Sequence, residues 1–379
     1  MENAPAELEE IIAEVEENRR TSGNFRYPIR EMLTIVFLAM TVGLRSSRKF
    51  ELWGKANIEE LRKRGLELKN GIPSHYTFSR LFRKMPPRLL KKLMKDWSEP
   101  LRDLDYGSVV AVDGKALKHA SPDGVHTPYE VTAWVSETGF SLGEVKTDIK
   151  SNEIKAIPEL MKILGDDIEG CTVTIDAAGC QKEIAAIVVD VNKADYVFGL
   201  KDNQKTFHDE FLELFDHAID AYPDRFRAFE SVEKNSGRFE RRKCIQTDYV
   251  EWFEDLWKWK GLKTVVLVES ERKTSKGTST DRRLYASSLP MNPKRALKCI
   301  RQHWGIENGL HWTMDVIFDE DRSRYRLDHG PENMSVFRHI LVSVLKQKAR
   351  RFDVSVDTLC AMAVADKEFL FDLFFGKKS

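Results

Sequence analysis

The order of apolar runs between about residues 107 and 201 constrains this chain more than any other feature. SVVAVDGKALK, YEVTAWVSE and SLGEVKTDI are three short β-rich runs divided by turn residues, and IPELMKILG then reads as a helix. CTVTIDAAG follows as a buried strand, QKEIAAIVVDVN as a helix and DYVFGLK as another strand. A meander of three strands, then helix, strand, helix, strand, makes a mixed sheet with helices packed on it, an α/β layer architecture. Asp113 interrupts the first strand and Asp176 ends the fourth. Taken singly, Asp113-Gly114 opens a turn and Asp176-Ala177 caps a helix. An acid in an apolar strand twice in one small region asks for more, because burying an unpaired charge is costly.

A third acid comes from IRQHWGIENGLHWTMDVIFDED, Ile300 to Asp321. At helical spacing His303, Glu307, His311 and Asp315 recur every four residues along one slowly turning face, with Trp304, Leu310, Trp312 and Met314 between them. Alone, such a helix reads equally as a partly buried structural element and as the wall of a site. Three converging carboxylates repel one another unless a cation neutralises them, and hard oxygen ligands suit Mg²⁺ or Mn²⁺. Two such ions about 3.5 to 4 Å apart can activate a water or a 3′-hydroxyl and stabilise the leaving oxygen of a phosphodiester. Zinc on His303, Glu307 and His311 is the weaker reading, since the order is not HExxH and no second cluster completes it. Trp304 and Trp312 are expected in the core rather than as base-stacking platforms. Asp319, Glu320 and Asp321 read as a solvated helix end.

The flanks are plainer. Residues 1 to about 100 are expected to be mostly helical. They start with an acidic amphipathic pattern at Glu7, Glu9, Glu10, Glu14, Glu16 and Glu17, unlike a signal peptide. MLTIVFLAMTVGL, Met32 to Leu44, is too short to span a bilayer and reads as a buried helix, so no membrane is expected. NGIPSHYTFSRLFRKMPP carries Arg80, Arg83 and Lys84 on a short helix, first a solvated basic face and second a surface for a phosphate backbone. From about 205 to 290 a β-rich insertion is expected, basic at Arg238, Arg241, Arg242 and Lys243. ENMSVFRHILVSVLKQKARR reads as an amphipathic helix with a basic end that suits its dipole. Sixty basic and sixty acidic residues cancel, so any surface for nucleic acid must be local. Five cysteines without a CxxC pair exclude a disulfide framework or zinc ribbon, and the cytoplasm fits best.

Together VVAVDGKALK, GEVKTDIKSNEIKAIPELM, CTVTIDAAGCQKEIA, ADYVFGLKDNQ, IRQHWGIENGLHWTMDVIFDEDRSR and GPENMSVFRHI resemble the successive blocks of the ISAs-one type insertion-sequence transposases, which include the H-repeat-associated proteins. YPIREMLTIVFLAM, ELWGKA and NGIPSHYTFSRLFRKM resemble that family's helical associated domain, and the likeness runs from about residue 25 to 348. It implies a ribonuclease H-like mixed sheet with flanking helices, a β-rich insertion before the last catalytic helix and an N-terminal helical domain. The expected division is a helical, DNA-binding domain over 1–100, a catalytic domain over 101–348 and a C-terminal helical tail over 349–379. The resemblance further implies a DDE triad of Asp113, Asp176 and Glu307, catalytic and metal-holding, surrounded by His303, Asn308 and Asp315. It implies Mg²⁺ or Mn²⁺ and strand transfer between terminal inverted repeats and target DNA. A homodimer or larger assembly on double-stranded DNA, and association with the nucleoid, follow from that activity. Candidate DNA contacts are Arg80, Lys115, Lys201, Asn203, Gln204, Arg238, Arg241 and Arg301. Two departures stand out. The Tyr, Arg, Glu, Lys signature of the related IS-four group meets Ile300, His303, Glu307 and Met314 here, and Ser236 stands before Gly237 where a His is expected. The alternatives are a decayed DNA-binding relative and a nuclease without strand transfer.

Overall fold

The helices of the N-terminal part are built on one apolar segment, IREMLTIVFLAMT, whose side chains leave almost no polar face, so α1 (Ile29–Thr41) is buried along most of its length. The computed structural model of the protein describes residues 26–98, 104, 106–118, 120, 127–147, 153–235, 238–275 and 277–376. The acidic N-terminal pattern and Ser236 lie outside them. Around α1 come α2 (Ser47–Ala56), α3 (Ile58–Lys63), α4 (His75–Lys84) and α5 (Pro87–Ser98). Ser46 caps α2 by accepting from the Lys49 amide, and Pro87 opens α5 at a position where a missing amide is harmless.

Strands β1 (Val109–Ala116), β2 (Tyr129–Val135) and β3 (Phe140–Thr147) form the antiparallel meander, and α6 (Glu153–Leu164) carries the chain to the other side. There β4 (Thr172–Ile175) pairs in parallel with β1. After α7 (Lys182–Asp190), β5 (Asp195–Leu200) pairs in parallel with β4, and α8 (Lys205–His217) follows. These elements match the sequence expectation.

The insertion is β-rich, as expected, but it is no separate layer. Strands β6 (Phe226–Asn235), β7 (Arg238–Thr247), β8 (Thr264–Thr274) and β9 (Gly277–Ser287) form a meander whose last strand pairs antiparallel with β5. One sheet of nine strands results, in the order β3-β2-β1-β4-β5-β9-β8-β7-β6. Its basic residues face acids: Arg241 binds Glu230 at 2.7 Å, Arg242 and Arg272 bind Glu240 at 2.7 and 2.9 Å, and Arg282 binds Asp216 at 2.7 Å. Such opposite pairs support a ladder.

After β9, α9 (Pro293–Gly305) is capped by the Asn292 side chain and runs on into widened π-helical turns, Ile306–His311 and Thr313–Ile317. The chain ends in α10 (Gly330–Arg351), α11 (Val356–Ala365) and α12 (Lys367–Phe375). The expected amphipathic character of α10 does not hold: from Asn333 to Leu345 it is buried on all sides. The cause is its position between the β2–β3 end of the sheet and the N-terminal helices, with which it shares one core. Its polar residues are satisfied inside, Asn333 donating to the Phe82 and Met85 carbonyls at 2.6 and 2.8 Å. Helices α6, α7 and α8 cover the opposite face. All five cysteines are buried and free, and among the described residues no helix is long and apolar enough to cross a membrane.

Candidate active site at the carboxyl ends of β1 and β4

In the parallel pair β1–β4, Val112 stands opposite Ile175, so the next residues, Asp113 and Asp176, are neighbours across the sheet. Crevices beyond strand carboxyl ends are where open α/β sheets bind ligands. Asp113 Oδ1 accepts from the Gly114 amide at 2.8 Å. Asp176 Oδ1 accepts from the Ala178 and Gly179 amides at 2.9 and 3.3 Å, so the capping role and a site role coexist. The Asp176 turn is held from below by β5. Asn203 Nδ2 donates to the Ala177 carbonyl at 2.5 Å, and Gln204 Nε2 to that of Cys180 at 3.0 Å. Gly199 lets the strand approach this closely, since a Cβ there would lie 3.1 Å from the Ala177 nitrogen.

The helix from Pro293 brings the third acid over this end. His303 Nδ1 lies 3.1 Å from Thr174 Oγ1, which ties the helix to β4, and burial lowers the imidazole's pKa although Asp176 opposes it. Glu307 is one turn on and exposed, its pKa raised by partial burial and by the charge of Asp176. His311 Nδ1 is 3.5 Å from Asp113 Oδ2, and burial together with the Lys115 charge pushes its pKa down to about 3. Both imidazoles are therefore neutral at pH 7. They line the acids without cancelling their charge.

Lys115 is turned away from any external phosphate. Its ammonium is 2.7 Å from Asp315, 3.0 Å from Glu320 and 3.8 Å from Asp321, which ties β1 to the end of the π-helical turns. Glu320 is buried and Lys118 binds Asp321 at 2.6 Å, so this acidic end is not the solvated terminus expected. Arg283 partly screens Glu307 while covering the Trp304 ring at 5.3 Å. The histidines beside the carboxylates, being neutral, add no positive charge to the site. Three carboxylate oxygen donors fit a divalent cation.

Other expected positions are dispersed. Asn308 is exposed on the first π turn, Lys201 is exposed after β5 and Arg80 is exposed on α4. Arg301 binds Glu233 at 2.8 Å, while Arg238 begins β7. Trp304 and Trp312 are 42% and 50% exposed, so they are not core residues. Trp304 is three residues before Glu307 and Trp312 five after it.

A second polar cluster escaped the sequence reading. Glu130 on β2, Glu144 on β3 and His339 on α10 are all buried, and their ligand atoms lie within 4.8 Å of one another. Among the described residues this is the one such group of three, so the triad is less tightly drawn together. His339 Nε2 is 2.7 Å from Glu130 and 3.3 Å from Glu144, and its Nδ1 meets Ser141 Oγ at 2.9 Å. Burial and the Glu130 charge raise the Glu144 pKa well above the carboxylate range, while His339 holds that of Glu130 low against its burial. The donor set could take a divalent ion, but a proton kept on Glu144 balances it equally. The signal was in the sequence: Glu130 and Glu144 interrupt apolar strands just as Asp113 does.

Acids suited to divalent ions where the parallel pairing of β1 and β4 stops, on a ribonuclease H-like sheet, point to an enzyme of metal-dependent phosphoryl transfer. Comparison with known proteins names the kind. The family described as "Transposase DDE domain" matches residues 107–344, and the one described as "DDE_Tnp_1-associated" matches residues 10–98. "Putative transposase YncI" of Escherichia coli O157:H7 is 33% identical over 336 residues, covering 86% of this chain and 84% of that protein. "H repeat-associated putative transposase YhhI" of Escherichia coli K12 is 30% identical over 379 residues, covering 97% and 98%. The chain belongs to the DDE transposase family and is an insertion-sequence transposase of the H-repeat-associated type. Membership implies a divalent metal ion and DNA as partner.

Proposed function

We propose that Asp113, Asp176 and Glu307 hold Mg²⁺ and are the catalytic triad, acting on the terminal inverted repeats of the element and on target DNA. The observation that carries this reading is the placement of Asp113 and Asp176 side by side where the parallel pairing of β1 and β4 stops, with Glu307 close enough to feel the charge of Asp176. Ions bound there supply Lewis acidity to the scissile phosphate and lower the pKa of the attacking water or 3′-hydroxyl. The chain's own groups hold the geometry. Backbone amides fix one oxygen of each aspartate, Thr174 and His303 anchor the helix, and the Lys115 clasp fixes its far end. His303, Asn308 and Asp315 belong to the surroundings of the site.

In this reading residues 1–100 form the DNA-binding domain, 101–348 the catalytic domain and 349–379 a helical tail. The protein works on the nucleoid as a homodimer or larger assembly, since two DNA ends are joined. The test is incubation with Mg²⁺ and a duplex bearing the inverted repeats that flank its gene, beside Glu307→Gln. Cleavage at the repeat boundary with joining to a second duplex, both lost in the variant, is expected. Binding without cleavage by either protein would instead describe a decayed relative, and cleavage without joining a nuclease.

A further inference from the structure

Where the net-neutral chain keeps its local positive charge is visible on the side of the N-terminal helices. A groove of about 930 Å³ runs between the first turns of α2 and α4 and the segment Asp319–Leu327 that follows the π-helical turns. Seven arginine or lysine side chains line it against one carboxylate, Asp319. Some are occupied: Arg45 reaches Asp319 at 3.8 Å and Arg83 reaches Asp328 at 2.8 Å. Arg48, Lys49 and Arg324 are exposed and have no carboxylate partner among the described residues. This is unlike Arg241, Arg272 and Arg282 of the insertion, which meet acids across the ladder.

Arg48 and Lys49 also oppose local helix physics. They stand in the first turn of α2, which has no acidic residue, at the end where the helix dipole is already positive. Folding alone does not favour cations there, and an anion seated against them would relieve the repulsion. Cations line both walls, Lys49 on one and Arg324 on the other, so a run of phosphates is matched better than a single one. Tyr76, 76% exposed at the rim, and Ser79 add neutral donors. The groove is also tied to the chemistry. Its far wall begins with Asp319, next in the chain to Glu320 and Asp321, and Lys115, two residues after Asp113, binds both of these. Ser47 Oγ and Tyr325 Oη, 2.6 Å apart, hold the two walls together.

We propose that this groove seats the phosphate backbone of duplex DNA next to the scissile bond, with Arg48, Lys49 and Arg324 as its principal phosphate contacts. The inference rests on the transposase reading and adds to it the surface along which DNA enters.

The experiment is fluorescence-polarisation binding of a duplex carrying the terminal repeat, at several salt concentrations, with the full chain. Three proteins are compared: wild type, the triple variant Arg48→Ala/Lys49→Ala/Arg324→Ala, and a control triple, Lys155→Ala/Lys263→Ala/Arg351→Ala, of exposed cations elsewhere. Losing three phosphate contacts should reduce the slope of log K against log salt by roughly two to three and weaken binding at least about tenfold at moderate salt. The control should keep the wild-type slope, and unchanged melting temperatures show that both variants fold. A groove variant with the wild-type slope and affinity overturns the proposal while the catalytic reading stands. A control that loses as much as the groove variant overturns it too. Wild-type protein that neither binds nor cleaves the duplex removes both readings.

Discussion

Two sets of acids lie on one sheet and have opposite fates. Where the parallel pairing of β1 and β4 stops, Asp113, Asp176 and Glu307 stay partly open, with neutral histidines beside them. Deeper, across β2 and β3, Glu130 and Glu144 are closed off by α10, with His339 bonded to Glu130 and burial and the Glu130 charge raising the pKa of Glu144. Residue type does not separate the two sets; access does. An acid that keeps an open side can recruit an ion and a substrate, whereas one sealed under a helix must be satisfied where it lies.

The sharpest way to break this contrast is to neutralise the open acids. Asp113→Asn, Asp176→Asn and Glu307→Gln are each expected to lower strand cleavage by about 10²-fold or more, since even outer partners of metal sites are worth about 10- to 100-fold. Melting temperature should hold or rise, because repulsion is removed. A folded Glu307→Gln that cleaves normally would take Glu307 out of the triad.

The closed set should behave in reverse. His339→Ala takes the imidazole from buried Glu130 and leaves it Ser335 Oγ, at 3.0 Å, as hydrogen-bond donor, so a loss of about 3 kcal/mol by denaturant unfolding is expected, the low end of the scale for breaking a buried pair. An intermediate case is Asn203→Ala, which removes the donor to the Ala177 and Cys180 carbonyls beneath the Asp176 turn. A stability loss of about 1 kcal/mol is expected, the usual net worth of such bonds, together with slower cleavage and unaltered DNA binding. Equal cleavage by that variant would show that the turn holds Asp176 without it.

Glu144→Gln should be the mildest at neutral pH, since a glutamine amide resembles a protonated carboxyl. Its effect lies in the pH profile. With a raised folded-state pKa, Glu144 binds more protons in the folded than in the unfolded chain, so its contribution falls as pH rises above about 4.5, the ordinary glutamate region. The variant should lose that decline. An unchanged slope of stability against pH would mean that Glu144 is already ionised in the native protein.

Much of this was legible in the sequence because it rests on local pattern. Alternation in YEVTAWV and continuous apolar runs in TVTI and DYVFGL define strands, and an acid inside such a run marks a place where charge must be answered. What sequence could not give depends on distant partners. Lys115 looked free for phosphate until Asp315, Glu320 and Asp321 came to it from two hundred residues on. The polar residues of α10 gave it an amphipathic look that burial on all sides contradicts. The π-helical turns leave no mark in residue spacing, and the insertion read as an added unit because pairing of β9 with β5 is long-range.

The most direct test of the contrast is Mn²⁺ binding followed by electron paramagnetic resonance, in wild type, Asp176→Asn, Glu307→Gln and Glu144→Gln. The open site as the ion-binding one predicts that Asp176→Asn and Glu307→Gln lose the bound-ion signal while Glu144→Gln keeps it. Binding that survives both triad variants and disappears in Glu144→Gln would place the metal in the buried cluster and contradict the account.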